Sequence, residues 1–466
     1  MNGVRPPLLL RLPAALAVCA LLLGGCAADP LVRIRAEFDA GNYRGCEALL
    51  REARRAHPGD AHLYALDQGI VHLALREPRK TLKELRFARD RMDELSGRTF
   101  MESFKALFLD DRQLDYEGAD YEKVLVRAVL ALADLAARAG DAASYALQVL
   151  EEQMRIIDSF KLPDGKMPKK AYKLVAFGCY IRAIMAEEDP LSQDLAEREY
   201  EKVLEIEPDF AYGREDLERV RSGHMPPKGY GVLHVLVLCG RGPFRVEAAA
   251  DPKDQAWADA MGIAQTVWAF HKKETPFPLL STVKIPALAF YRENPTEVHV
   301  AVDGREMGAT AVVTDVEATA QAEFKALRPV IIARALIRRA FKIVVTEGVR
   351  SVVRKTQKGG ASQGLSDLLV SLGGLLWISS ERADLRCWDL LPASFQVLRL
   401  ELPAGVHTVS LQAGLSGRAV GSPQAVRLEV RDGYNTYVIA LVPSLRGGPA
   451  PLTSQPAPEA VLPEKP

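Results

Sequence analysis

From residue 31 to about 222, apolar residues recur every three and four positions with few β-branched runs, the pattern of consecutive amphipathic helices. Glycine and proline punctuate it at Gly41-Asn42, Pro58, Glu77-Pro78, Gly140-Asp141 and Pro208. At His224-Met-Pro-Pro-Lys-Gly-Tyr-Gly231 the composition shifts to a linker, and Val232–Leu238 then reads as a buried strand. Gly240-Arg-Gly-Pro243 turns that strand, and Lys253–His271 reads as a helix or an irregular connection. Strands resume over Thr282–Tyr291 and Glu297–Val302, where Asp303-Gly304 signals a hairpin. Asp315 caps a helix through Leu327, and Pro329 opens a second one, Val330 to about Val345. A small-residue loop follows at Gln357–Gly364. The apolar run Leu365–Ile378 reads as a buried or membrane-docking helix. Phe395–Leu402 alternates apolar and polar residues, Pro403-Ala-Gly405 turns it, and Val406–Leu411 answers as the partner strand. Ala425–Val430 and Tyr434–Val442 make a second hairpin around Asp432-Gly433. From Pro443 the chain is rich in Pro, Ala, Ser and Glu and reads as a disordered tail. The expected class is multidomain α+β. A helical array (26–222) precedes an antiparallel β-rich domain (223–442, helices about 315–378) and a tail (443–466).

The helical half carries an internal repeat. Gly41-Asn42-Tyr43, Leu49-Leu50, Ala53 and Pro58 form one partial match. Gly69, Thr81, Leu85 and Ala88 form another, with Glu77-Pro78 at the turn. A third helix pair spans Val124–Leu150, and Ala196, Tyr200, Val203 and Pro208 give the clearest match. Ala211-Tyr212 begins a capping helix ending near Ser222. This resembles tetratricopeptide repeats, although Thr81 and Val203 stand where that family favours Ala. The resemblance implies stacked helix pairs with a concave face for a peptide or protein. Phe104, Tyr116 and Tyr121 either line that groove or belong to the core.

The chain opens with Arg5 and Arg11, an apolar run Ala14–Leu23, and then Gly24-Gly25-Cys26. The run is too short to span a bilayer, which takes roughly 20 residues, and small residues follow it, as in a cleaved signal. Leu23-Gly-Gly-Cys26 resembles the lipobox of bacterial lipoproteins. That likeness implies a signal peptide over 1–25 and acylation of Cys26, so that membrane lipid is one expected partner. Ala27 rather than Asp follows the cysteine, which favours the outer membrane facing the periplasm. Lys plus Arg and Asp plus Glu are both 60, so no electrostatic case exists for nucleic acid.

Little in the sequence points to chemistry. Cys46, Cys179, Cys239 and Cys387 are isolated and in no metal-binding spacing, so they read as core residues, with a disulfide left open. No H-E-x-x-H, G-x-S-x-G or phosphate-cradling glycine loop occurs, and no cofactor is implied. His234, His299 and His407 fall singly in strands. Arg334, Arg338 and Arg339 make the 330–345 helix basic and amphipathic, suited to an anionic membrane or to covering a sheet. The densest polar-aromatic cluster is Asp384, Arg386 and Trp388. It is either a ligand site or a buried Asp–Arg pair at a chain corner with Trp388 plugging the core.

Several segments are similar, in order and spacing, to a family of bacterial lipoproteins without an assigned biochemical activity. They are Tyr64–Gly69, Tyr116-Glu-Gly118, Tyr121–Leu125, Arg328–Ala335, Ala383–Trp388, and Leu391-Pro392 through Leu402-Pro-Ala-Gly405. The likeness implies a tetratricopeptide-like N-terminal region and a family-specific C-terminal domain, and it transfers no catalytic residue. The expected function is a membrane-anchored envelope scaffold that binds a protein partner without catalysis. An envelope hydrolase and a purely structural lipoprotein are the alternatives.

Overall fold

A computed structural model describes residues 30–96, 115–162, 165–271, 276–278, 280, 282–356 and 382–456. The leader with Cys26, Phe104, the 357–364 loop, the 365–378 run and the last residues of the tail lie outside the described residues.

The helical half forms α1 (Pro30–Asp39), α2 (Tyr43–Ala56), α3 (Ala61–Ala74), α4 (Pro78–Leu95), α5 (Asp120–Ala137), α6 (Ala142–Ser159), α7 (Phe177–Glu187), α8 (Gln193–Ile206) and α9 (Gly213–Arg221). Each helix packs on the next, and five of the connections fall where the punctuation predicts, at Gly41-Asn42, Pro58, Glu77-Pro78, Gly140-Asp141 and Pro208. Asn42 caps α2 by accepting the Gly45 N–H at 3.1 Å. α2 and α4 are amphipathic: α2 buries Cys46, Leu50 and Ala53, and α4 buries Leu82, Leu85, Ala88 and Met92. α3 and α5 are instead buried almost all round, because a second layer covers the side that an open array would leave to solvent.

That second layer is the β-rich half. One five-stranded sheet runs β12-β11-β1-β7-β6 and another β10-β8-β4-β5. The strands of the first are β1 (Tyr230–Cys239), β6 (Ala311–Asp315), β7 (Ser394–Pro403), β11 (Asn435–Val442) and β12 (Ala450–Thr453). The second holds β4 (Glu297–Val302), β5 (Arg305–Ala309), β8 (Gly405–Leu415) and β10 (Gln424–Val430), with the short β9 (Arg418–Ala419) beside β8. β1 is buried on both faces, as its unbroken apolar run predicts. Leu236 and Leu238 point into the helical core, together with Phe395, Ile439 and Leu441. Leu233, Val235 and Val237 point the other way, onto Val298, Val300, Val409 and Leu411 of the second sheet. The molecule is therefore three layers, helices on sheet on sheet. The change of composition at residue 223 is a boundary along the chain, while one core crosses it. A side module joins β2 (Phe244–Ala249) and β3 (Lys284–Ala289) to α10 (Gln255–His271) and α11 (Val316–Thr356).

Several expectations need correcting. The sheet is not wholly antiparallel, since β1 and β11 pair in parallel from Val232↔Asn435 to Cys239↔Val442. β7 and β8 are not partners: Pro403-Ala-Gly405 carries the chain from the first sheet to the second. Asp432-Gly433 does the same in reverse, from β10 to β11. By contrast Asp303-Gly304 does make the β4–β5 hairpin, with φ of 50° and 82° at its two central residues. Pro329 opens no new helix but sits inside the single helix α11, where its fixed φ is tolerated and one hydrogen bond is lost. The tail is structured as far as residue 456. β12 adds antiparallel to the free edge of β11, which gives its backbone the partners its composition could not supply. Ser444 Oγ donates to the Asp39 carbonyl of α1 at 3.1 Å.

Candidate functional site

After β6 and α11 the chain returns through residues 382–393, an extended segment laid against α3 and α5. Its backbone is held by buried carboxylates. The Trp388 N–H donates to Glu122 at 2.9 Å and the Leu390 N–H to Asp67 at 2.9 Å. Asp389 pairs with Arg35 of α1. The Asp389 carbonyl takes a hydrogen bond from Arg241 at 2.9 Å, and Arg241 also pairs with Asp39 and lies between the Phe38 and Tyr291 rings. Burial, with Asp389 beside it, pushes the Asp67 carboxyl well above the usual range. Glu122 further accepts the Tyr116 hydroxyl at 2.5 Å and the Ala119 N–H at 3.1 Å. The inner side of these helices, expected to be open to a peptide, is thus filled by an extended stretch of the same chain.

The predicted cluster lies on that stretch. Arg386 holds Asp384 through two nitrogens, at 3.0 and 2.9 Å, reaches Asp60 at the start of α3 at 2.6 Å, and lies over the Tyr116 ring. Trp388 is 1% exposed and packs in the main core. The three residues do not converge: the Asp–Arg pair ties the segment to the helices, and the indole fills the interior. Tyr116 and Tyr121 are core residues. All four described cysteines are free and buried. No group of three His, Cys, Asp or Glu among the described residues could hold a metal, and no described helix is long and apolar enough to cross a membrane. His234 stacks on Tyr437 at 5.5 Å, and burial beside Arg399 holds it neutral, its pKa lowered to about 3. His407 bonds Asp303 at 2.7 Å, and His299 lies 3.4 Å from Glu306.

Beside the segment opens a cavity of about 510 Å³. The start of α5, the end of α6, the β2–β3 hairpin and α11 enclose it. Phe324, Leu327 and Ile331 of α11, spaced at three and four, face Ile285 and Leu288 of β3. Arg334 and Arg338 continue the same helix face, so this helix lines a cavity as well as packing on α10. Glu323 of α11 caps α5 by accepting the Asp120 and Tyr121 N–H groups at 3.0 and 2.7 Å. Burial and the Asp120 charge push Glu323 up to about 8. Asp120 itself binds Lys169 at 2.6 Å and the Tyr172 hydroxyl at 2.8 Å.

The pattern alone did not single out Asp67, Glu122, Arg241 or Arg245. A signal existed for the two acids: each stands where its helix periodicity demands an apolar side chain. Arg245 carried none, because β2 is short and mixed in character.

No family model, no curated protein and no solved structure matches the chain.

Proposed function

We propose that this chain is a bacterial envelope lipoprotein, acylated at Cys26, that acts as a non-catalytic binding and scaffolding protein. The lipobox-like Leu23–Cys26 supports the anchor, and Ala27 after it supports the outer membrane facing the periplasm. The observation that carries the non-catalytic reading is the engagement of the polar groups. Asp67, Glu122, Arg386 and Asp389 are each bonded across the boundary between helices and segment, and Asp384 holds Arg386 within the segment, so that all five hold architecture. Tetratricopeptide-like packing is supported by the close approach at Gly69, where an added Cβ would lie 2.4 Å from Leu85, and by the Thr81 hydroxyl donating to the Gly69 carbonyl at 3.0 Å. With the inner side filled, a protein partner docks on the outer helices, where Phe87, Leu147 and Met154 stand exposed.

Two measurements test this reading. Cys26→Ser should move the protein from the membrane to the soluble fraction; membrane retention would refute the anchor. Crosslinked pull-down from envelopes should recover a stoichiometric partner that is lost when Phe87 and Met154 are changed to Asp. Reproducible recovery of nothing would refute the scaffold.

A further inference from the structure

We propose that the cavity between α5, α6, the β2–β3 hairpin and α11 binds an anionic single-chain amphiphile, its carboxylate or phosphate head on Arg245 and its chain along α11. This goes beyond the scaffold reading and stands whether or not a protein partner is found.

The guanidinium of Arg245 lines the cavity, carries five donors and cannot shed its charge in a protein. Among the described residues its side chain has no hydrogen bond and no ion pair. The acids around it are already engaged. Glu122 takes the Tyr116 hydroxyl and the Ala119 and Trp388 N–H groups. Glu323 takes two backbone N–H groups at the start of α5, Asp384 takes Arg386, and Asp115 takes Arg91 at 2.5 Å. The nearest phenols, Tyr116 and Tyr121, direct their hydroxyls at Glu122. Glu122 lies near enough to favour the charge but forms no ion pair with it, so the half-buried guanidinium turns unfilled donors to the cavity and the geometry calls for an anionic acceptor from outside. The guanidinium fork suits a carboxylate or phosphate.

The rest of the cavity sets what the anion is attached to. Ile285 and Leu288 from β3 and Phe324, Leu327 and Ile331 from α11 supply the apolar part of a lining that is otherwise polar. The volume of about 510 Å³ lies within the roughly 300–1,000 Å³ of small-molecule sites. A sugar or free phosphate would leave that apolar wall in contact with water, whereas an acyl chain covers it.

The test titrates dodecanoate, dodecyl phosphate and dodecanol into residues 27–466, which keep every described element. One anion is expected to bind per chain, with dodecanol at least tenfold weaker, and the preference between the two anions distinguishes a fatty acid from a lysophospholipid-type source. Arg245→Ala should weaken the anions roughly ten- to hundredfold and leave dodecanol unchanged. Leu327→Trp, which narrows the apolar wall, should weaken all three. If Arg245→Ala does not fold, Arg245→Lys keeps a charge, loses the fork and should still weaken the anions relative to dodecanol. Equal binding of anions and alcohol, indifference to the Arg245 variants, or no binding by any probe overturns the proposal.

Discussion

The main-chain N–H of Trp388 donates to the carboxylate of Glu122 at 2.9 Å, joining residues 266 positions apart. This one bond fixes the returning segment to α5, and through α5 to the whole helical layer. Glu122 is fully buried, so nothing replaces its oxygens when they are removed.

Glu122→Ala is therefore expected to strand the Trp388 N–H and the Tyr116 hydroxyl in the interior. The loss should be about 3–5 kcal/mol, because several buried donors are left without acceptors. Glu122→Gln, which keeps one oxygen, should cost less. Urea unfolding followed by tryptophan fluorescence checks the order; a variant as stable as the parent would contradict the role given to this carboxylate.

Two buried acids give the stability a dependence on pH with opposite signs. Burial would raise the Glu187 pKa, but Arg219 and Arg399 outweigh it and hold the group at about 2. Its contribution is present above about pH 4.5 and is lost as pH falls through about 2, with a size of roughly 3 kcal/mol. Glu323 is pushed up to about 8. Its contribution is full below about pH 4.5 and is lost as pH rises through about 8. Glu323→Gln should therefore flatten the decline in urea midpoint between about pH 5 and about pH 9. An unchanged slope would show that Glu323 is ionised throughout.

Two helical glycines should respond oppositely to alanine. At Gly178 in α7 an added Cβ falls 2.6 Å from the Ala146 carbonyl oxygen and 2.7 Å from Val149 Cβ, so α6 and α7 must move apart. Gly178→Ala should cost about 1–3 kcal/mol despite alanine's better helix propensity. Gly262 in α10 meets nothing within 4 Å. Gly262→Ala should gain up to about 1 kcal/mol. Thermal midpoints moving in the same direction for both would overturn this account of the α6–α7 contact.

The sequence made the local elements legible and left their partners hidden. The apolar run Val232–Leu238 announced a strand buried on both faces, and Asp303-Gly304 announced its hairpin through the positive φ both residues adopt. Pro403-Ala-Gly405 and Asp432-Gly433 announced turns equally well. A turn residue reports that the chain reverses, not which sheet the next strand joins, so both sheet-to-sheet crossings read as hairpins. Pro329 misled because proline suits a first turn, yet a long helix packed on two sides absorbs one missing hydrogen bond. The tail misled because its order comes from the unpaired edge of β11 and not from its own side chains. In the candidate cluster, Asp384 and Arg386 pair with each other at the lining of the cavity, and Trp388 fills the interior. Arg245 was invisible, since its significance is a side chain with no direct hydrogen bond or ion pair, which only the three-dimensional neighbourhood defines.

The parallel pairing of β1 with β11 orders events in time. β1 is made directly after the helices, yet one of its neighbours, β7, follows α11, and the other, β11, comes near the end of the chain. The inward faces of α3 and α5 can be covered only when those late strands have emerged. Until then the nascent molecule carries a long apolar surface and a strand with two open edges, the state most prone to stick to other chains. Closure of such distant contacts is slow. A chain of this design depends on being held apart from its neighbours until its last strands have been made.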